Sequence, residues 1–130
     1  GIIVIAAGGG GIPVVKDENG YLKGMEAVID KDLAAAMLAK DLNADMFVIS
    51  TAVPKVCLNY GKSDEKKLDS ITTDEAREYI KEGHFAPGSM LPKIQALVDF
   101  VDSTGNMGIV TDPEHLYDAV YGDQGTKIQN

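Results

Sequence analysis

Apolar runs rich in β-branched residues alternate along this chain with segments of helical periodicity. Residues 2–6 (Ile-Ile-Val-Ile-Ala) and Met46–Ser50 are such runs. Residues 31–42 and 89–102 instead place Leu, Met, Ile and Val at the spacing of one helix face. Continuous apolar strands are typical of a parallel sheet that is covered on both faces. The alternation therefore predicts a layered α/β domain with a largely parallel sheet, and the first run predicts one of its buried strands.

The shorter elements are predicted from turn and capping signals. Asn19-Gly20 favours a hairpin between Val14–Lys16 and residues 21–23. Thr72 and Glu75 have the capping-box spacing, which predicts a helix from there to about Lys81. The remaining predictions are short strands at residues 56–58, 108–111 and 126–128, a helix over 113–121, and a solvated polar loop over 61–69.

The first apolar run also bears on the extent of the protein. A strand buried on both faces needs other elements to cover it. Here the run begins at the second residue, with no earlier element to provide that cover. We therefore expect these 130 residues to be part of a longer protein.

Composition narrows the classes of function. The chain is 45% hydrophobic and carries a net charge of -8, which predicts a globular protein and argues against a basic nucleic-acid-binding face. No apolar run approaches the ~20 residues of a membrane span. The single cysteine, Cys57, fits a reducing, cytoplasmic compartment, and between Val56 and Leu58 it is predicted to be a buried strand thiol. His84 and His115 are too few and too far apart for a histidine-based metal site, so none is predicted.

Residues 83–93 (Gly-His-Phe-Ala-Pro-Gly-Ser-Met-Leu-Pro-Lys) form a Pro/Gly loop that runs into a helix. Ser89 is a suitable N-cap, and Lys93 falls in the first turns of that helix. A helix start offers unpaired N–H groups and a partial positive charge, so a lysine there suits an anionic ligand, phosphate above all. An ordinary capped helix with a solvated lysine remains the alternative interpretation.

Two further segments could bind an anion. Residues 8–11 are four glycines after a strand-like run, which suits either a close backbone approach to a ligand or a tight structural turn. Asp30 and Asp32 are explained by capping and by the helix dipole at the start of the helix over 31–42. Lys31 is unfavourable at a helix N-terminus, which suggests a compensating anion, either its neighbours or a bound phosphate.

Four segments together resemble the carbamate kinase branch of the amino acid kinase family. In chain order they are residues 6–14 (AAGGGGIPV), 24–34 (GMEAVIDKDLA), 59–62 (NYGK) and 83–93 (GHFAPGSMLPK). They occur in the family's order over essentially the whole chain, and the IDKD and FAPGSMLPK segments are specific to this branch. The ending, Gly125-Thr126-Lys127-Ile128, is also similar to the family's C-terminus.

The resemblance implies an open αβα sandwich, of which residues 1–130 are the nucleotide-binding C-terminal portion. It implies phosphoryl transfer between ATP and carbamate, often running towards ATP with carbamoyl phosphate from arginine breakdown. The implied cofactor is ATP or ADP with Mg²⁺. The implied partners are these small molecules, with no nucleic acid and no membrane, and the full-length protein is expected to be a cytoplasmic homodimer.

The resemblance also assigns site residues. Lys31 and Lys93 match the family's phosphate-contacting lysines, and Asp32 matches the aspartate that holds them in place. The nucleotide cleft is expected along Thr51, Ala52, Val53, Tyr60, Ala86, Pro87, Gly88 and Met90. The loop of Gly8, Gly9, Gly10 and Gly11 is expected to face the transferred phosphoryl group or carbamate. Such chemistry relies on positioning and charge stabilisation and needs no covalent nucleophile.

The family's N-terminal half has no counterpart in these residues. That half carries a second glycine-rich loop, a further catalytic lysine and most of the carbamate pocket, so the isolated chain is expected to be inactive. Two other interpretations stay open. The chain could be a non-catalytic nucleotide-binding fragment or module, or it could belong to an amino acid kinase with a different acceptor, as in acetylglutamate or uridylate kinases. The Asp30-Lys31-Asp32 triplet argues against the different acceptor.

Overall fold

Four strands form the central sheet of the computed structural model, which describes residues 1–130. The chain alternates strands with helices, as predicted. In chain order the elements are β1 (Val14–Lys16), β2 (Leu22–Gly24), α1 (Lys31–Asp41), β3 (Met46–Ser50), β4 (Cys57–Leu58), β5 (Lys66–Lys67), β6 (Ser70–Thr72), α2 (Thr73–Lys81), α3 (Met90–Thr104), β7 (Met107–Thr111), α4 (Leu116–Tyr121) and β8 (Thr126–Gln129).

The central sheet has the strand order β3-β7-β8-β6. β3 pairs with β7 and β6 pairs with β8 in parallel, whereas β7 and β8 are antiparallel. Most of the sheet is therefore parallel, which confirms the prediction. The β3–β7 register places Ser50 opposite Thr111 at the carboxyl ends of both strands. In open α/β sheets, ligands bind beyond this edge.

Helices lie on both faces of the sheet, so the αβα sandwich is confirmed. On one face α3 approaches β7 so closely that a Cβ at Gly108 would lie 2.8 Å from Leu97 Cδ2. On the other face α4 packs near the start of β8, where a Cβ at Gly125 would lie 3.3 Å from Ala119 Cβ. α1 forms a further contact by packing along α3.

α3 supplies the centre of the hydrophobic core. Ile94, Leu97 and Phe100 are fully buried, and the ring of Phe100 lies 5.5 Å from that of Phe47 on β3. Fully burying a side chain of this kind stabilises a fold by roughly 1.5–3 kcal/mol. The periodicity that predicted a helix over residues 89–102 thus also identified the face that the sheet covers.

Local signals fix the ends of the helices. Asp30 Oδ1 accepts hydrogen bonds from the N–H groups of Asp32 and Leu33 and so caps α1. Thr72 and Glu75 form the predicted capping box at the start of α2. The longest helix has 15 residues, and no helix combines the length and apolarity that spanning a bilayer requires.

The prediction of a buried strand at residues 2–6 is wrong for this chain. These residues form no strand, and Ile5 is 98% exposed. A β-branched run becomes a strand only when another strand pairs with it and a layer covers its faces. No strand of the sheet pairs with this segment, so its high strand propensity does not produce a strand.

Three smaller differences separate the observed elements from the predicted ones. The polar segment over residues 61–69 contains β5, which pairs antiparallel with β4, so it is not only a solvated loop. β6 precedes α2 and was not predicted, because its three residues show no pattern distinct from the capping box beside them. α4 begins at Leu116 rather than at Pro113.

Candidate functional site

Asp32 connects the two helices that carry the predicted lysines. Its Oδ2 atom accepts a hydrogen bond from Lys93 Nζ at 2.7 Å and another from Lys31 Nζ at 3.1 Å. Asp32 lies in the first turn of α1, and Lys93 lies in the first turn of α3. The packing of α1 against α3 therefore brings the three side chains into one cluster.

The three side chains differ in their exposure to solvent. Only 10% of the Asp32 side chain and 13% of the Lys93 side chain are exposed, whereas 58% of the Lys31 side chain is exposed. Asp32 and Lys93 thus form a largely buried pair whose position is fixed by two helices. Lys31 shares the same carboxylate oxygen but keeps most of its side chain available to a ligand.

Electrostatics keep this cluster charged. Burial alone would raise the pKa of Asp32, but hydrogen bonds from Lys93 and Lys31 outweigh it and hold that pKa below its ordinary value. The hydrogen bond to Asp32 raises the pKa of Lys31. Two lysines and one carboxylate leave a formal charge of +1. A site of this kind attracts an anion at neutral pH.

The glycine loop lies against the start of α1. Gly10 has a φ of +143°, and a Cβ there would be 2.4 Å from the carbonyl oxygen of Ile29, a distance that no side chain permits. Ile29 is two residues before Lys31. The structure therefore places the predicted loop of Gly8, Gly9, Gly10 and Gly11 beside the cluster, with the chain in a conformation that requires glycine.

A pocket of about 400 Å³ lies beside the cluster, between the segment that follows β3 and the segment that leads into α3. Lys93 lines it and connects it to Asp32. Of the residues predicted for the nucleotide cleft, it is lined by Thr51, Ala52, Val53, Tyr60, Ala86, Gly88 and Met90. Pro87 does not line it, and neither do Lys31, Asp32 or the glycine loop.

The pocket also contains residues that the sequence did not single out as ligand-facing, namely Lys55, Cys57, His84, Phe85 and Ser89. Phe85 and Ser89 belong to the recognised 83–93 segment, and His84 could have been included from the same segment. Lys55 and Cys57 reach the pocket because a loop and a short strand fold against it, which no local pattern indicates. Cys57 is buried in β4, as predicted, and burial raises the pKa of its thiol.

Hydrogen bonds join residues 51–56, the segment that follows β3 and lines part of the pocket, to the central sheet. Thr51 donates its N–H to the carbonyl of Thr111 at 2.8 Å. Val56 donates its N–H to Thr126 Oγ1 at 2.8 Å, and that hydroxyl in turn donates to the carbonyl of Leu68. Val56 and Thr126 are completely buried. The segment that follows β3 is therefore held at both of its ends.

Comparison with known proteins assigns the chain to a family. The profile of the amino acid kinase family matches residues 1–112. The chain therefore belongs to the amino acid kinase family.

Within that family, close relatives of this chain are carbamate kinases, which confirms the resemblance found in the sequence. The chain is 50% identical to the carbamate kinase of Thermococcus kodakarensis over 128 residues, or 98% of this chain and 40% of that protein. It is 57% identical to carbamate kinase 1 of Enterococcus faecium over 116 residues, or 88% of this chain and 36% of that protein.

Solved structures agree with the sequence comparison. The carbamate kinase from Giardia lamblia bound to AMP-PNP superposes with a TM-score of 0.88 at 49% identity. The match covers 93% of this chain and 38% of that one. This chain thus spans about 40% of the length of the curated relatives it matches.

Proposed function

We propose that this chain is the ATP-binding portion of a carbamate kinase, which transfers a phosphoryl group between ATP and carbamate. The observation that carries the proposal is the position of Lys93, which lines the pocket and donates to the buried Asp32 at 2.7 Å. One end of a largely apolar cleft thereby carries a fixed positive charge. A base and sugar fit the cleft, and phosphates fit its charged end.

Each part of the cluster has a role in this proposal. Lys93, held by Asp32, contacts the phosphates from the first turn of α3, where the helix dipole adds to its charge. Lys31, which is more exposed, reaches the phosphoryl group that is transferred. The glycine loop lies next to α1, outside the lining of the pocket, and we assign to it the contact with the transferred phosphoryl group or carbamate. Positioned charges of this kind supply most of the catalysis in phosphoryl transfer.

Mg²⁺ enters the proposal with the nucleotide. The chain holds no group of three or more His, Cys, Asp or Glu that could hold a metal ion, and Asp32 is occupied by two lysines. Mg²⁺ usually keeps several waters and is bound through phosphates and one or two carboxylates. Bound in that way, it would neutralise phosphate charge.

The acceptor is inferred from relatives, and the setting follows the resemblance found in the sequence. The curated proteins that match at about half identity are named carbamate kinases, and the Giardia lamblia enzyme was solved with AMP-PNP. We take carbamate as the acceptor, carbamoyl phosphate and ADP as the reverse substrates, and a cytoplasmic homodimer as the setting. A different acceptor, or a chain that only binds nucleotide, are the alternatives.

Formation of ATP from ADP and carbamoyl phosphate, measured with a coupled enzyme assay on the full-length protein that contains this chain, tests the proposal. We expect turnover with ADP and carbamoyl phosphate, and we expect no release of ADP, in a separate coupled assay, when ATP is offered with acetylglutamate or uridylate. We also expect residues 1–130 alone to give no turnover. If the full-length protein bound nucleotide but gave no turnover, the proposed kinase activity would be contradicted and a non-catalytic nucleotide-binding module would be favoured.

A further inference from the structure

His84 links two segments that both line the pocket. It lies between α2 and α3, at the start of the segment that includes Ala86 and Met90, and its own side chain lines the pocket. Its Nδ1 atom is 3.1 Å from Oδ1 of Asn59, which directly precedes Tyr60. Tyr60 lines the pocket from the other segment and is 67% exposed.

Asn59 is held in a way that fixes the direction of this bond. Its Nδ2 atom donates to Asp64 Oδ2 at 2.7 Å, so its Oδ1 atom is the acceptor that faces His84. Its backbone φ is +52°, a left-handed conformation that asparagine tolerates better than most residues. The turn is completed by Gly61, whose N–H donates to Glu65 Oε2 at 2.8 Å.

The His84 ring has two further contacts, which allow the role of each nitrogen to be separated. Nε2 is 3.0 Å from Glu82 Oε2, a contact between residues of the same segment. The ring also meets Tyr79 edge-on, with centroids 5.7 Å apart. Of these three ring contacts, only the Nδ1 contact joins the segment of His84 to the segment of Tyr60.

We propose that the His84–Asn59 hydrogen bond sets the spacing between Tyr60 and the segment of Ala86 and Met90, so that His84 is a positioning residue for the nucleotide. The inference rests on the proposed function, because it takes an adenine nucleotide as the occupant of the pocket. In the proposed function the phosphates contact Lys93 and not His84. His84 therefore affects nucleotide affinity without taking part in phosphoryl transfer.

Two substitutions of His84 test the contacts of Nδ1 and Nε2 separately. In His84→Asn the amide nitrogen is bonded to Cγ, as Nδ1 is, so this variant keeps a donor towards Asn59. In His84→Gln the amide nitrogen occupies the position of Nε2 and keeps the contact with Glu82 instead. ADP dissociation constants are measured by calorimetry on the full-length protein. We expect His84→Asn to bind ADP like the wild type and His84→Gln to bind about three- to tenfold more weakly, the effect of one hydrogen bond.

Kinetics and a double-mutant cycle complete the test. The KM for ADP should rise in His84→Gln while kcat changes less than about twofold, because uniform binding is lost and transition-state contacts are kept. Asn59→Gly keeps the left-handed backbone but removes the acceptor, and its effect should not add to that of His84→Gln.

Each outcome decides the question. Equal ADP affinity in His84→Asn, His84→Gln and the wild type would overturn the positioning role and leave the proposed function intact. Equal weakening in both variants would also overturn it, because the ring itself and not its bond to Asn59 would then matter. A wild-type protein that binds no adenine nucleotide would overturn the proposed function and this inference with it.

Discussion

A single carboxylate, that of Asp32, holds both lysines of the candidate site. The structure separates its role from that of its neighbour, because Asp30 alone caps α1 while Asp32 points to Lys31 and Lys93. An aspartate at a helix start is usually explained by capping or by the dipole. Asp30 already supplies the cap, so the largely buried contact with Lys93 gives Asp32 a separate role.

We predict that Lys93→Ala in the full-length protein lowers kcat/KM by ~10²-fold or more, as the loss of a positioned charge donor does elsewhere. Lys93→Arg should restore only part of the activity, because a planar guanidinium does not replace a compact ammonium between Asp32 and a phosphate. Steady-state kinetics of ATP formation measure both. Lys81→Ala, which changes an exposed lysine on α2, is the matched control. Wild-type kinetics in Lys93→Ala would show that this lysine only supports the helix.

The pKa of Asp32 gives a second prediction at this scale. That pKa lies below its ordinary value in the folded chain, so the ionised carboxylate stabilises the fold above the unfolded-state value of about 4. This contribution is lost as the pH falls through the lower folded-state pKa. In Asp32→Asn the loss of thermal stability below pH ~4 should therefore be smaller than in the wild type. Parallel acid limbs in melting curves of the two proteins would contradict the assignment.

At the scale of elements, the contribution of the α1 cap to stability can be measured separately from the role of the candidate site in activity. Asp30→Ala removes the acceptor for the N–H groups of Asp32 and Leu33 and should lower the free energy of unfolding by ~0.5–2 kcal/mol. Asp30→Ser keeps a capping oxygen and should lose much less. Denaturant unfolding measures both variants. If Asp30→Ala lowered ADP affinity while stability stayed the same, Asp30 would belong to the site instead.

Elements defined by local signals could be predicted from the sequence, and elements defined by a partner could not. The caps at Asp30 and Thr72 and the apolar face of α3 depend on residues a few positions apart. By contrast, β5 consists of two lysines that become a strand only through pairing with β4. Residues 2–6 show the reverse case, since a strong strand pattern stays unpaired.

The candidate site shows the same division. The lysines and Asp32 were found because their motifs resemble a family, and the structure brings them together through the packing of α1 against α3. Lys55 and Cys57 were not recognised as pocket residues, because their place in the wall depends on the loop after β3 and on β4 folding against the pocket. The contact between His84 and Asn59 joins positions 25 residues apart and has no local signature.

At the scale of the whole molecule, many large apolar side chains are exposed. Ile2, Ile3 and Ile5 are each more than 90% exposed, and Met37 and Leu42 on the side of α1 are also exposed. Residues 2–5 are consecutive, and an exposed apolar run of this kind marks an interaction surface or a tendency to aggregate. The chain spans about 40% of its curated relatives, so further polypeptide is available in those proteins to cover such a surface.

We predict that residues 1–130 produced alone self-associate through this surface. Ile3→Lys combined with Ile5→Lys should lower light scattering and shift the chain towards the monomer in sedimentation experiments, because charge on an exposed β-prone segment opposes association. The melting temperature should not change, since neither side chain packs against the core. Unchanged association in this double variant, with Glu18→Lys as the control, would locate the contact elsewhere.

The hydroxyl of Thr126 has a consequence for how the molecule opens. The amide of Val56 belongs to a connecting segment, where backbone hydrogens are usually replaced by deuterium through small local fluctuations. Its hydrogen bond, however, ends on a completely buried hydroxyl at the start of β8. Deuterium should therefore enter at Val56 as slowly as in the central strands, while the amides around Tyr60 exchange early. The wall of the pocket beside Val56 should therefore open only when the whole sheet opens.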